Sequence, residues 1–179
     1  MKWLLCRTDD FSQAQYDAVY HSLSDSRKAH IDTFRHEGAR RQSLAGELAL
    51  RALLAREGID DVIERLPSGQ PVLASRGACV SIAHCDQQVA CALHEKAVGI
   101  DIEKCKPVKP GLAQKICTAR ELAYVQEDDT RFFEIWTAKE AYFKMKGTGI
   151  TDFQAVDTLS LPRQLLHRDE YLICIVAEE

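Results

Sequence analysis

The sequence lacks any apolar run near the roughly 18 residues that would cross a bilayer, which argues against a membrane partner. Met1–Arg7 is too short to serve as a signal peptide. The seven cysteines (Cys6, Cys79, Cys85, Cys91, Cys105, Cys117 and Cys174) include no Cys-x-x-Cys pair. An odd, scattered set is neither a disulfide framework nor a zinc motif, so they read as small reduced core residues and the expected compartment is the cytoplasm. Positive charge is not in excess either. The 23 Lys and Arg against 27 Asp and Glu give a formal net charge of −4, which leaves the whole molecule without a nucleic-acid signature. No low-complexity segment is present. What remains is a globular chain of 179 residues, 46% apolar, long enough for one large domain or two small halves that share a core.

The chemistry is concentrated in two segments. Val98-Gly99-Ile100-Asp101-Ile102-Glu103 places carboxylates two residues apart in an apolar run. In a strand, Asp101 and Glu103 share one face, and Ile100 and Ile102 share the other. The second segment, Trp136 to Lys144, is rich in helix formers. At helical spacing Phe132, Trp136, Glu140 and Lys144 form one stripe, apolar, then acidic, then basic. Carboxylates from two elements with a lysine one turn beyond can hold a hard cation against a phosphate. Mg²⁺, with its oxygen ligands and retained waters, suits Asp101, Glu103 and Glu140. Zinc suits them less, because no His or Cys lies at ligand spacing. Plainer readings exist: Asp101 and Glu103 on an exposed edge strand, Glu140 and Lys144 as a solvated i,i+4 pair. Trp136 and Phe132 on the same stripe argue that it faces protein, where a buried glutamate needs a partner.

Between Arg27 and Arg56, seven basic residues (Arg27, Lys28, Arg35, Arg40, Arg41, Arg51 and Arg56) face three acids (Asp32, Glu37 and Glu47). This is either a solvated helix face or an anion site. His84, after Ser81-Ile82-Ala83, is either a structural histidine at a turn or a phosphate donor.

The expected fold class is α+β, with two similar lobes related by a pseudo-twofold, residues 1–96 and 97–179. Each is a long helix packed on a small antiparallel sheet, and the site lies in the cleft between them. Helices are expected over Phe11–Tyr20, Ser24–Thr33 and Glu37–Glu57, the last ended by Gly58. Others are expected at Ala113–Ile116, Ala119–Gln126 and Thr130–Lys146, the last stopped at Gly147-Thr148-Gly149. Strands are expected at Trp3–Arg7, Cys79–Ala83, Val89–Leu93, Val98–Glu103, Gln154–Leu161 and Tyr171–Ala177. His84–Gln88 is expected as a polar link and Pro67–Pro71 as a turn.

Together these segments resemble the Sfp-type 4′-phosphopantetheinyl transferases. That family carries Gly-(Ile/Val)-Asp-(Ile/Val)-Glu, here Gly99–Glu103, and Trp-(Ser/Thr/Cys)-x-Lys-Glu-(Ala/Ser)-x-x-Lys, here Trp136–Lys144. Gly69-Gln70-Pro71, Ser81–His84 and the Phe34–Gly46 stretch extend the likeness. The resemblance implies a monomeric enzyme that moves the phosphopantetheine arm of coenzyme A onto a serine of an apo acyl, peptidyl or polyketide carrier protein. Adenosine 3′,5′-bisphosphate leaves. It implies Mg²⁺ on Asp101, Glu103 and Glu140, with Glu140 as base, directly or through a metal-bound water, and Glu121 assisting. Arg27, Lys28, Arg40, Arg41, Ser43 and His84 would bind the 3′-phosphate of coenzyme A; Lys144 and Lys139 would face its pyrophosphate. Gln70 stands where many relatives have Lys, Ala83 replaces the Ser before His84, and His30 stands where some relatives carry Lys. A catalytically degenerate module that binds coenzyme A or carrier domains is the alternative, and another Mg²⁺-dependent phosphate enzyme a third.

Overall fold

A computed structural model describes residues 1–150 and 152–179. The first half opens with strand β1 (Lys2–Arg7) and helices α1 (Gln13–Ser22), α2 (Asp25–Asp32) and α3 (Glu37–Arg56). Ser12 and Ser24 cap α1 and α2 by accepting from the Gln15 and Arg27 amides. The hairpin β2 (Ile63–Arg65) and β3 (Pro71–Leu73) follows, then β4 (Cys79–Cys85) and β5 (Gln88–His94). The second half comprises β6 (Val98–Lys104), α4 (Leu112–Ile116), α5 (Ala119–Val125), α6 (Asp129–Lys146), β7 (Arg163–Arg168) and β8 (Tyr171–Ala177).

Two three-stranded antiparallel sheets result, ordered β1-β5-β4 and β6-β8-β7. Side-chain alternation explains why their central strands are buried on both faces. Val89, Cys91 and Leu93 of β5 join the core with Leu50, Leu53 and Leu54 of α3. Ala90 and Ala92 point the other way, into a core with Ile100 and Ile102 of β6 and Ile173 and Ile175 of β8. Cys174 and Val176 of β8 in turn meet Ala138 and Ala141 of α6. The layers are thus α3, sheet, sheet, α6, and a buried bond from the Ile100 amide to Ser81 Oγ (3.1 Å) joins the two sheets. Among the described residues no helix is long and apolar enough to cross a membrane.

Two expected elements differ. Gln154–Leu161 is not a strand but two 3₁₀ turns, Phe153–Ala155 and Thr158–Ser160. Asp152 and Asp157 accept from the Gln154 and Leu159 amides, and such local side-chain bonds outcompete a ladder. The outer strand starts only at Arg163, after Pro162. Likewise, His84 lies inside β4, not in a link, and the turn shrinks to Asp86-Gln87, with Asp86 at φ 51°.

Candidate active site

The site depends first on how closely α6 lies on β6. Asp128 caps the start of α6, and Gly147, at φ 66°, ends it in a left-handed turn. Gly99 of β6 sits directly beneath the helix. A Cβ there would overlap the Ala141 carbonyl and lie 2.6 Å from the Met145 nitrogen. That approach brings the Trp136–Lys144 stripe onto the acidic face of β6. Trp136 Nε1 donates to Glu103 Oε1 at 2.9 Å, and Lys144 Nζ donates to Asp101 Oδ1 at 2.6 Å. Asp101 is buried, and its second oxygen, Oδ2, has no hydrogen-bond partner.

Burial pushes the Asp101 carboxyl up to about 7; Lys144 opposes the rise, and Glu103 and Glu140 nearby add to it. Burial also raises Glu140, with Lys144 opposing and Glu103 adding. The three carboxylates thus act on one another's charge. Even so, among the described residues no group of three or more Asp, Glu, His or Cys side chains is placed so that it could hold a metal ion. One oxygen each of Asp101 and Glu103 is already engaged by Lys144 and Trp136.

Beside this cluster opens a cavity of ≈ 480 Å³. Glu140, Phe143 and Lys144 of α6 form one wall, continued by Gly147, Gly149 and Ile150. The opposite wall comes from the first half: Arg27, Ser43, Arg65, Ser81 and His84. Arg27 donates to Ser43 Oγ at 2.7 Å, and Arg65 donates to the buried Glu47 at 2.7 Å. Both guanidinium Nε atoms are buried without a partner. Desolvation lowers the Arg27 pKa, and the neighbouring Arg65 charge adds to this. Two crowded guanidinium groups of this kind await an anion. The His84 ring opens onto the cavity yet is hemmed by its walls; desolvation and then the Lys144 charge lower its pKa, so it offers a neutral hydrogen bond.

Carboxylates against a basic cavity can serve a phosphate reaction. Residues 97–175 match the family described as the 4'-phosphopantetheinyl transferase superfamily. The chain is 26% identical over 150 residues to the 4'-phosphopantetheinyl transferase Sfp of Bacillus subtilis, an alignment that covers 78% of this chain and 67% of that protein. It is 27% identical over 155 residues to psf-1 of Bacillus pumilus, covering 80% and 66%. It is 26% identical over 171 residues to HetI of Nostoc, covering 87% and 72%. The second half of the chain thus resembles this superfamily, and the relatives align over most of its length.

The chain spans about two thirds of the length of those relatives. In it the structure gathers Arg27, Ser43, His84, Glu140 and Lys144 around one cavity, with Asp101 and Glu103 behind Lys144 and Trp136. It does not gather the rest. Arg40 pairs with Asp32 at 2.9 Å, and the Arg41 guanidinium lies 4.4 Å from the Tyr16 ring centre. Both line a separate cavity of ≈ 430 Å³ with Tyr20 and Arg35. Helical phase explains this: Ser43 and Gly46 face the main cavity, and Arg40 and Arg41 lie off that face. Lys28 is not part of the main cavity wall and instead nears Asp25 at 3.9 Å. Lys139 is corrected most plainly. It is wholly buried on the side of α6 away from the cavity, 2.8 Å from Glu121, which is equally buried and so sits away from any substrate.

Sequence reasoning missed Arg65. The available signal was Glu47, an acid on the apolar face of α3, which folding can bury only beside a cation. Because Arg27 carries an otherwise unsatisfied donor, Arg27→Ala is expected to raise KM for an anionic substrate about tenfold or more and to leave kcat within threefold. Steady-state kinetics check this, and an unchanged KM would remove Arg27 from the binding wall.

Proposed function

We propose that this protein transfers the 4′-phosphopantetheine arm of coenzyme A to a serine of an apo carrier protein, releasing adenosine 3′,5′-bisphosphate. The observation that carries the reading is the single cavity that sets Glu140 and Lys144 against Arg27, Arg65 and His84. The shared order of the two sheets, β1-β5-β4 and β6-β8-β7, supports two related lobes, residues 1–96 and 97–179, with the reaction between them. Both walls come from one chain, consistent with a monomer, and the free cysteines suit the reducing cytoplasm.

Mg²⁺ fits the residues present. The unpartnered, buried Asp101 Oδ2 is an oxygen that asks for a cation, and the Glu103 and Glu140 charges act on the same carboxylate. Bound there, Mg²⁺ would offset charge on the pyrophosphate oxygens. The rest falls to the protein. Arg27, Arg65 and His84 hold the 3′-phosphate end of coenzyme A and thereby orient its pyrophosphate toward Lys144. Lys144 neutralises charge on the leaving phosphate. Glu140 accepts the proton of the carrier serine as its oxygen attacks the phosphorus bearing the pantetheine, and the bond to the adenosine-side phosphate breaks. Burial makes Glu140 a stronger base than a solvated glutamate. Positioning and electrostatics account for most catalysis of this kind.

The test is intact-mass analysis of several apo carriers incubated with the protein, coenzyme A and Mg²⁺. A gain of one phosphopantetheine is expected. Coenzyme A binding without product on any carrier would favour a non-catalytic module instead.

Metal affinity should depend on pH with a definite sign. A carboxylate must lose its proton to ligate, and Asp101 holds that proton up to about 7. Apparent Mg²⁺ affinity is expected to rise up to about tenfold per pH unit below that value and to flatten above it. Titration calorimetry from pH 5.5 to 8.5 measures this range, and a flat profile would contradict it.

A further inference from the structure

The buried Lys139–Glu121 pair lies outside the catalytic cluster, yet every one of its polar atoms is used. Lys139 Nζ donates to Glu121 Oε2 at 2.8 Å, to the Phe153 carbonyl at 2.6 Å and to the Val156 carbonyl. A lysine has three donors, so none is left for a substrate. Glu121 Oε2 also accepts from the Thr118 amide (2.8 Å), while Oε1 accepts from the Thr158 amide and hydroxyl (each 2.8 Å). Four of these five partners belong to the 3₁₀ turns after α6 or to Val156 between them. Other ties along this stretch are the exposed bonds of Arg120 to Asp157 and Ser160 and of Gln154 to the Gln114 carbonyl, of little worth, and a bond from Arg163 to the Thr158 carbonyl.

That stretch packs against the cavity wall. Ile150 lines the cavity three residues before Phe153. The Phe153 ring, whose own carbonyl is held by Lys139, packs 5.1 Å from Trp136 and 6.2 Å from Phe143. Phe143 is itself part of the wall, and Trp136 orients Glu103. We infer that Lys139 and Glu121 are positioning residues: they pin Phe153–Ser160 to α6 and so fix both the Ile150 side of the coenzyme A cavity and the indole that aims Glu103. This rests on the transferase reading for the identity of the ligand. A buried pair replaceable by apolar groups is weak support for stability alone, so a role in fixing one conformation accounts better for so complete a network.

Two variants test it. Thr158→Val removes one hydroxyl far from the cavity and keeps the test available if the double variant Lys139→Met/Glu121→Gln does not fold. In Thr158→Val, exchange of the Thr158 and Leu159 amides is expected to quicken about fivefold or more, with KM for coenzyme A up about threefold and kcat within twofold. The double variant is expected to move exchange and KM further in the same direction, by about tenfold, with kcat retained within threefold. Wild-type exchange and KM in Thr158→Val would overturn the inference. So would a double variant whose kcat falls about a hundredfold at unchanged KM, because that would place Lys139 on the substrate. Exchange, and coenzyme A affinity by calorimetry, need no turnover. A wild type that modifies no carrier would therefore sink the transferase reading while leaving this one to stand or fall separately.

Discussion

Asp101→Ala is expected to lower carrier modification at least about a hundredfold at saturating coenzyme A and Mg²⁺. The substitution removes the buried Oδ2 that has no partner in the protein and the Oδ1 that orients Lys144 at 2.6 Å. The proposed cation ligand and the anchor of the Lys144 ammonium are lost together, so the effect exceeds that of a single contact. Stability should move the other way. The folded Asp101 holds its proton up to about 7, against 3.8 for an ordinary aspartate. Below the lower value both folded and unfolded chains are protonated; above the higher both are ionised. Between them the folded state binds more protons, so metal-free stability falls as pH rises through this window. Asp101→Asn keeps the shape and removes that dependence. At pH 8 it is expected to be more stable than the metal-free wild type, by on the order of a few kcal/mol. Turnover of Asp101→Ala equal to wild type would refute the site; an Asp101→Asn protein with the wild-type pH–stability slope would refute the electrostatics.

Gly99→Ala is expected to cost several kcal/mol and to lower Tm by more than about 10 °C, or to prevent accumulation of folded protein. Backbone conformation is not the reason. The added Cβ would overlap the Ala141 carbonyl in the middle of α6, and neither the helix backbone nor the central β6–β8 ladder can yield cheaply. What separates would be the Trp136–Glu103 and Lys144–Asp101 pairs, since each spans that contact. Any folded Gly99→Ala protein should therefore lose transfer much more than tenfold, because displacements of about 1 Å are felt strongly in catalysis. Gly46→Ala is a useful contrast. Its Cβ would meet only the Ile82 methyl at 3.0 Å, a side chain with some freedom to give. Thermal melts of both variants decide the matter, and a Gly99→Ala melt like wild type would show that the helix has room to move.

Sequence alone determined the elements that carry chemistry. Alternation in Val98–Glu103 correctly assigned Ile100 and Ile102 to the inter-sheet core and Asp101 to the opposite face, because a strand offers no third choice. The 3.6-residue period of α6 correctly joined Trp136, Glu140 and Lys144 in one stripe, because helix geometry is as fixed as strand geometry. The family likeness was legible from the same two segments. Tertiary structure decided which charges are available. Arg40 and Arg41 look like Arg27 in sequence, but helical phase and two local partners, Asp32 and Tyr16, turn them to a different cavity. Lys139 is next to Glu140 in the chain and about 100° away from it around α6, which is the difference between a buried anchor and a cavity wall. Arg65 entered the site because burying Glu47 required it, and no local pattern records a requirement made by a distant helix. Periodicity fixes where side chains point from their own element; what they meet there depends on elements far away in sequence, and so does whether a charge stays free for a substrate.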